Sequence, residues 1–116
     1  MKLKELIKWQ WEGYSQFHQS RKNLIIHIIF VPLFMIGFFS FLVALLTLNI
    51  SILVASILLM LVSFGAQGFG HSRELIPAVP FENASNALIR ILAEQLYTFP
   101  KFVLTGKWLK ALMANH

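Results

Sequence analysis

The hydrophobic and polar positions divide the chain into a long uncharged run with a mixed stretch on either side. Residues 23–72 contain no Lys, Arg, Asp or Glu, and basic residues bound the run, Lys22 before it and Arg73 after it. One crossing of the hydrocarbon core takes about 20 apolar residues, so the run has the length of two spanning helices and a short turn. The pattern therefore predicts a helical hairpin.

The turn of this hairpin is predicted within residues 46–51, the part of the run's middle with several polar side chains. The first span is then expected over about 24–46, with Asn23 as its N-cap, and the second over about 50–70. Pro32 lies inside the first span and removes a backbone donor. A kink or a loosened turn is expected there.

Amphipathic helices are predicted on both sides of the run. Over residues 2–19, apolar and aromatic positions recur at spacings of three and four. Interfacial helices are expected over residues 86–113, with Asn83 or Ser85 as the cap and Pro100 as an interruption. The N-terminal stripe comprises Leu3, Ile7, Trp11, Tyr14 and His18.

The composition agrees with a lipid environment. The hydrophobic fraction is 57% and the mean hydropathy is +0.67, above the roughly 45–50% apolar content of soluble domains. A small domain cannot bury that much apolar surface. The predicted fold class is all-α, one integral membrane domain over residues 1–116 with two spans and flanking interfacial helices. The apolar run starts too late and is too long for a secretory signal peptide.

The net charge of +5 comes from basic residues that flank the run on both sides. The positive-inside rule then places both termini in the cytoplasm, at the inner membrane if the source is bacterial, with Asn49 on the opposite side. Anionic lipid headgroups are the expected partner of these cations. Nucleic acid is not expected, because the cations are interleaved with Trp, Leu and Phe instead of forming a separate polar surface.

Two histidines stand near the two ends of the uncharged run, His27 and His71, equally far in sequence from Asn49. A hairpin places both at one depth, and His18 joins them if the N-terminal helix folds against the open end. Along the second span, polar residues recur at helical spacing and form one face. This polar face comprises Ser56, Ser63, Gln67, His71 and Glu74.

Each of these histidines has a hydrogen-bonding residue four positions earlier, and such neighbours often orient metal-bound imidazoles. The pairs are Tyr14 with His18, Asn23 with His27, and Gln67 with His71. Glu74 is the nearest carboxylate that could complete a mixed site. Because the chain has no cysteine, thiolate ligands are excluded. The spacing alone leaves open a second interpretation, in which each histidine reaches the headgroups, and His116 is expected to be disordered.

Two segments resemble the motifs of the membrane-bound 2-hydroxy-fatty-acid dioxygenase family. The first is Tyr14-Ser15-Gln16-Phe17-His18, followed by residues 22–32 around His27. The second is Gln67-Gly68-Phe69-Gly70-His71 with Glu74 and Pro77-Ala78. The segment Ala93-Glu94-Gln95 through residue 104 is similar to a compact, bacterial-type branch of that family.

The resemblance implies an iron(II)-dependent dioxygenase of fatty-acid α-oxidation, which uses O₂ to shorten a 2-hydroxy fatty acid by one carbon. Its implied metal ligands are His18, His27 and His71. Glu74 and Gln67 are then the expected catalytic residues, and the expected substrate-binding residues are Tyr14, Asn23 and Arg73. Two alternatives stay open: a non-enzymatic membrane protein for lipid binding or assembly, and a metal-dependent lipid hydrolase. The oligomeric state and the acyl chain length are not assigned.

Overall fold

The computed structural model describes residues 2–114, which form helices and connecting turns with no strand in that range, so the all-α prediction is confirmed. His116 lies outside the described residues. The elements are α1 (Leu3–Tyr14), a 3₁₀ turn (Ser15–Phe17), α2 (Arg21–Thr47), α3 (Ile50–His71), α4 (Ala84–Ala93), a π-helical segment (Glu94–Thr98), α5 (Phe99–Leu104) and α6 (Lys107–Ala114).

The hairpin is formed by α2 and α3, and its turn lies where the polar residues predicted it. Leu48 adopts the left-handed conformation, with φ 53°, and ends α2. Asn49 caps α3, because its side chain accepts a 3.1 Å hydrogen bond from the Ile52 amide. The two helices run antiparallel: a Cβ at Gly37 would meet Met60 in mid-hairpin, and one at Gly70 would meet Asn23 at the open end.

The start of α2 differs from the prediction, since the N-cap is Ser20 and not Asn23. The Ser20 hydroxyl accepts a 3.3 Å hydrogen bond from the Asn23 amide, so the helix begins at Arg21. Asn23 is fully buried within the first turn. The helix then continues through Pro32 to Thr47 without a break in its assignment.

The two helices of the hairpin bury different kinds of residue. α3 buries Ser56, Ser63, Gln67 and Gly70, so the predicted polar face is directed inward, against an α2 face that includes Val31, Phe34 and Ala44. Most other large apolar side chains point outward, and only 22% and 17% of the most apolar windows of α2 and α3 are buried. A helix in a soluble core would be mostly buried. Both helices are therefore long and apolar enough to cross a membrane.

The flanking helices pack around the open end of the hairpin. α1 ends at Tyr14, earlier than predicted, and its buried residues are Leu6 and Tyr14, whereas Leu3 is exposed. Gln10, on the same face, donates to the Arg90 carbonyl of α4 at 3.0 Å. The buried side of α1 is therefore the one that packs against α4, and part of the predicted apolar stripe stays exposed.

The C-terminal helices begin at the predicted cap, because Asn83 accepts a 2.8 Å hydrogen bond from the Asn86 amide. The prediction that Pro100 interrupts the helix is wrong. The π-helical segment comes just before it, and Pro100 occupies the first turn of α5, where its missing N–H is tolerated. A buried cluster of Tyr14, Leu24, Val31, Phe99 and Phe102 joins these helices to the hairpin.

Candidate metal centre

Three imidazoles meet at the open end of the hairpin. His18 follows the 3₁₀ turn, His27 lies on α2, and His71 is the last residue of α3. Their ring centroids are 4.8–4.9 Å apart, and the ring planes cross at 79–87°. The structure therefore brings together the three histidines that the sequence singled out, in a nearly equilateral triangle.

The carboxylate beside these histidines is Glu94, and not Glu74. His18, His27, His71 and Glu94 each offer one ligand atom, and these four atoms lie within 4.8 Å of one another. Residues 2–114, which the structure describes, contain no second cluster of this kind. Glu94 Oε2 is 3.3 Å from His18 Nε2 and 3.4 Å from His27 Nε2. Glu74 is the carboxylate nearest to His71 along the chain, whereas α4 brings Glu94 back from a distant position.

A signal for Glu94 is present in the sequence. Glu94 is the only acidic residue after Glu82, and it stands next to Gln95 in the mainly apolar segment 91–99. Glu94 also opens the π-helical segment, a feature that is frequent at functional sites. An acid next to an amide within this segment is the sequence signal for Glu94.

Main-chain carbonyl groups fix the orientation of two of the rings. His18 Nδ1 lies 2.8 Å from the Tyr14 carbonyl oxygen, and His27 Nδ1 lies 3.0 Å from that of Asn23. A carbonyl oxygen only accepts, so each Nδ1 is the donor and each Nε2 keeps a free lone pair. Both Nε2 atoms are buried and have no hydrogen-bond partner. Tyr14 and Asn23, the residues four positions before these histidines, thus orient the rings as predicted, but they do so through their backbone carbonyl groups and not through their side chains.

These free nitrogen atoms fit a bound cation. Two imidazole lone pairs within 3.4 Å of a carboxylate oxygen repel it unless positive charge lies between them. Burial raises the pKa of Glu94, but when His18 and His27 are protonated, their hydrogen bonding and charge outweigh burial and hold that pKa well below its usual range. An ionised carboxylate with three imidazoles is a donor set that suits iron(II) and other divalent transition metals.

Tyr14 supports the carboxylate. Its phenol donates a 2.7 Å hydrogen bond to Glu94 Oε2, and its ring stacks on His18 with centroids 3.7 Å apart. Burial raises the pKa of Tyr14 well above its usual value, and Glu94 raises it further, so the phenol keeps its proton. Tyr14, predicted to bind substrate, lies on the wall of the histidine cavity but uses its hydroxyl to hold Glu94.

Gln67, predicted to be catalytic, lies beside the centre and is paired with another amide. Its Nε2 donates to Gln95 Oε1 at 2.9 Å, and Gln95 Nε2 donates to Gln67 Oε1 at 2.7 Å. Both side chains are buried. This reciprocal pair ties α3 to the π-helical segment directly beside Glu94.

Glu74 joins the end of α3 to the start of α2. Its carboxylate accepts from the amides of Gln19 and Ser20 at 2.9–3.0 Å and from Asn23 Nδ2 at 2.7 Å. Asn23, predicted to bind substrate, is therefore engaged with Glu74 and, through its carbonyl, with His27. Glu74 holds the segment next to His18 and is not among the grouped donors.

Arg73, also predicted to bind substrate, does not line the histidine cavity. It is exposed, its guanidinium lies 4.8 Å from the centroid of the Phe69 ring, and it lines a separate cavity of about 500 Å³ beside Glu74. The cation that lines the histidine cavity is Arg90. It donates to the carbonyl groups of Val79 and Pro80 at 2.8 and 3.0 Å and so holds that connector against α4.

A half-open cavity of about 600 Å³ leads to the centre. This is within the roughly 300–1,000 Å³ typical of small-molecule sites. His18, His71 and Glu94 line it, as do the polar residues Gln10, Glu12, Gln16, Gln67 and Arg90. The apolar part of its wall comprises Trp9, Phe17, Phe64, Val79, Pro80, Phe81 and Ile91.

Comparison of the chain with protein-family models, with curated proteins and with solved structures finds no match.

Proposed function

We propose that this chain is an integral membrane, iron(II)-dependent dioxygenase that acts on 2-hydroxy fatty acids and shortens them by one carbon. The observation that carries the proposal is the cluster of His18, His27, His71 and Glu94 beside a cavity with an apolar wall. The resemblance of residues 14–78 to the 2-hydroxy-fatty-acid dioxygenase family supports the same reaction.

The donor set supports the choice of metal. His18 and His27 present neutral nitrogen atoms, and Glu94 supplies one negative charge held in place by Tyr14. Iron(II) held by these residues would supply the capacity to bind the two adjacent oxygens of a 2-hydroxy acid and to activate O₂. The overall reaction consumes one O₂ per acid and yields the shortened acid, CO₂ and water.

The position of the cluster supports a lipid substrate. The histidines lie at the open end of the hairpin, next to its charged flanks, whereas the rest of the hairpin is apolar on its outer face. A fatty acid in a bilayer has its carboxylate at the headgroup level and its tail in the hydrocarbon. The polar head would therefore meet the cluster while the tail stays in an apolar environment.

The charge distribution supports the topology. Basic residues on both flanks of the hairpin favour a topology with both termini on the cytoplasmic side, against anionic headgroups, at the inner membrane if the source is bacterial. Nucleic acid is not a partner in this proposal.

The test is reconstitution of protein purified without a histidine tag. Iron(II) is added under anaerobic conditions, and O₂ uptake is then followed with 2-hydroxypalmitate, using palmitate as the matched acid without the hydroxyl. We expect stoichiometric iron and uptake with the hydroxy acid only, and neither in a triple variant His18→Ala, His27→Ala, His71→Ala.

Two other results would overturn the proposal in different ways. Ester hydrolysis supported by zinc without O₂ uptake would identify a metal-dependent lipid hydrolase, because the same donors also suit zinc. Failure to bind any divalent metal would favour a non-enzymatic role in lipid binding or assembly.

A further inference from the structure

One stripe of α3 leads from the metal centre into the apolar part of the hairpin. Phe64, Gly68 and His71 follow each other at spacings of four and three, and all three line the cavity. Phe64 lies about 10 Å from His71 along the helix axis, on the side of the hairpin turn. Along this stripe the cavity wall therefore changes from the polar His71 to the apolar Phe64, in the direction of the turn.

Gly68 leaves this stripe open at its middle. A Cβ built on Gly68 has no atom within 4 Å, so the space above it belongs to the cavity. Phe64 lines the cavity and is 40% exposed, so this edge of the cavity is continuous with the outward apolar surface of the hairpin. The opening faces the surface that lipid would cover.

The opposite wall comes from α1 and the connector that precedes α4. Trp9 stands on α1, Phe17 lies in the 3₁₀ turn that follows it, and Val79 to Phe81 form the connector held by Arg90. Their apolar side chains suit a hydrocarbon chain.

From this arrangement we infer that the acyl chain of the substrate enters from the bilayer and lies across Gly68, between α1 and α3, so that Gly68 determines which chains are accepted. The inference rests on the proposed function and adds the path of the chain. The occupant is a single acyl chain whose carboxylate end reaches His18 and His71.

Gly65 provides a matched control on the same helix. A Cβ at Gly65 also has no atom within 4 Å, but Gly65 does not line the histidine cavity. The variants Gly68→Leu and Gly65→Leu therefore add the same volume to α3 at positions three residues apart, one in the path and one outside it.

The experiment measures anaerobic binding of 2-hydroxypalmitate and 2-hydroxybutyrate to the iron(II) protein, with iron content measured separately. Gly68→Leu is expected to weaken binding of the long acid by about tenfold or more, the scale of a steric mismatch in an apolar pocket. Binding of the short acid and of iron should be unchanged. Gly65→Leu should change none of the three.

The outcomes separate this inference from the proposed function. Normal binding of the long acid by Gly68→Leu overturns the chain path, even if O₂ uptake establishes the reaction. Binding that depends on Gly68 without any O₂ uptake supports the path and overturns the reaction.

Gly68→Ala keeps the test informative if the leucine variant fails to fold. A smaller, selective loss of long-chain binding supports the path, whereas a loss of iron overturns it. The oligomeric state in detergent is measured as well. If Gly68→Leu changes it and Gly65→Leu does not, the surface around Gly68 contacts a second copy of the chain, and the proposed acyl-chain path is overturned.

Discussion

The Tyr14 phenol donates a 2.7 Å hydrogen bond to Glu94 Oε2 across 80 residues of sequence. The same oxygen lies 3.3 Å from His18 Nε2 and 3.4 Å from His27 Nε2. One hydrogen bond therefore links α1 to the π-helical segment at the point where the candidate ligands meet. Such a hydrogen bond is what a metal-binding carboxylate requires, because a partner outside the site holds the ligand in its orientation.

Tyr14→Phe should weaken iron binding without abolishing it. The ring still stacks on His18, but Glu94 loses the hydrogen bond from the Tyr14 phenol. Partners that orient metal ligands typically contribute about 10–100-fold in affinity. Competition with a calibrated chelator measures the change. Tyr97→Phe, at a half-exposed position, is the matched control and should bind iron as the unmodified protein does.

Glu94→Gln should reduce iron affinity more than Tyr14→Phe does. The substitution keeps the shape of the side chain and removes the one negative charge of the donor group. Glu82→Gln is the control, because Glu82 is exposed and lies outside that group. Equal iron affinity in Glu94→Gln and the unmodified protein would remove Glu94 from the ligand set.

Each single variant His18→Ala, His27→Ala and His71→Ala should lose bound iron and hydroxy-acid-dependent O₂ uptake while still inserting into membranes. The apolar surface of the hairpin is untouched in all three. His116→Ala should affect neither property. Metal analysis and membrane fractionation of the four variants check this, and an iron-replete His71→Ala protein would contradict the site.

Glu74→Ala should mainly lower stability. It removes the acceptor of the fully buried Asn23 side chain and of the Ser20 amide, and an unpaired buried polar group costs about 1–3 kcal/mol. Thermal unfolding in detergent should show a lower midpoint. The iron affinity of the folded fraction should fall less than in Glu94→Gln, and the reverse order would make Glu74 a ligand.

Gly70→Ala should destabilise the hairpin, whereas Gly65→Ala should not. A Cβ at Gly70 would collide with the Asn23 side chain, and overpacking typically costs about 1–3 kcal/mol. At Gly65 the space is open, and alanine in a helix is favoured over glycine by about 0.5–1 kcal/mol. Unfolding midpoints of the two variants should therefore shift in opposite directions.

The sequence by itself determined the helical hairpin and the position of its turn. An uncharged run leaves few choices, because its length sets the number of helices and its polar midpoint sets the turn at Asn49. Local capping was less determined. Ser20 and Asn23 are both good N-caps, and the choice depended on Asn23 being drawn into the interior by Glu74.

The sequence also identified His18, His27 and His71, because helical spacing and the symmetry of a hairpin are local properties. Only the tertiary structure decided which carboxylate joins them. Glu74 is close in sequence, but backbone amides at the start of α2 capture it. Glu94 reaches the histidines because α4 packs on α1, and contacts across 80 residues are not encoded by spacing along the chain.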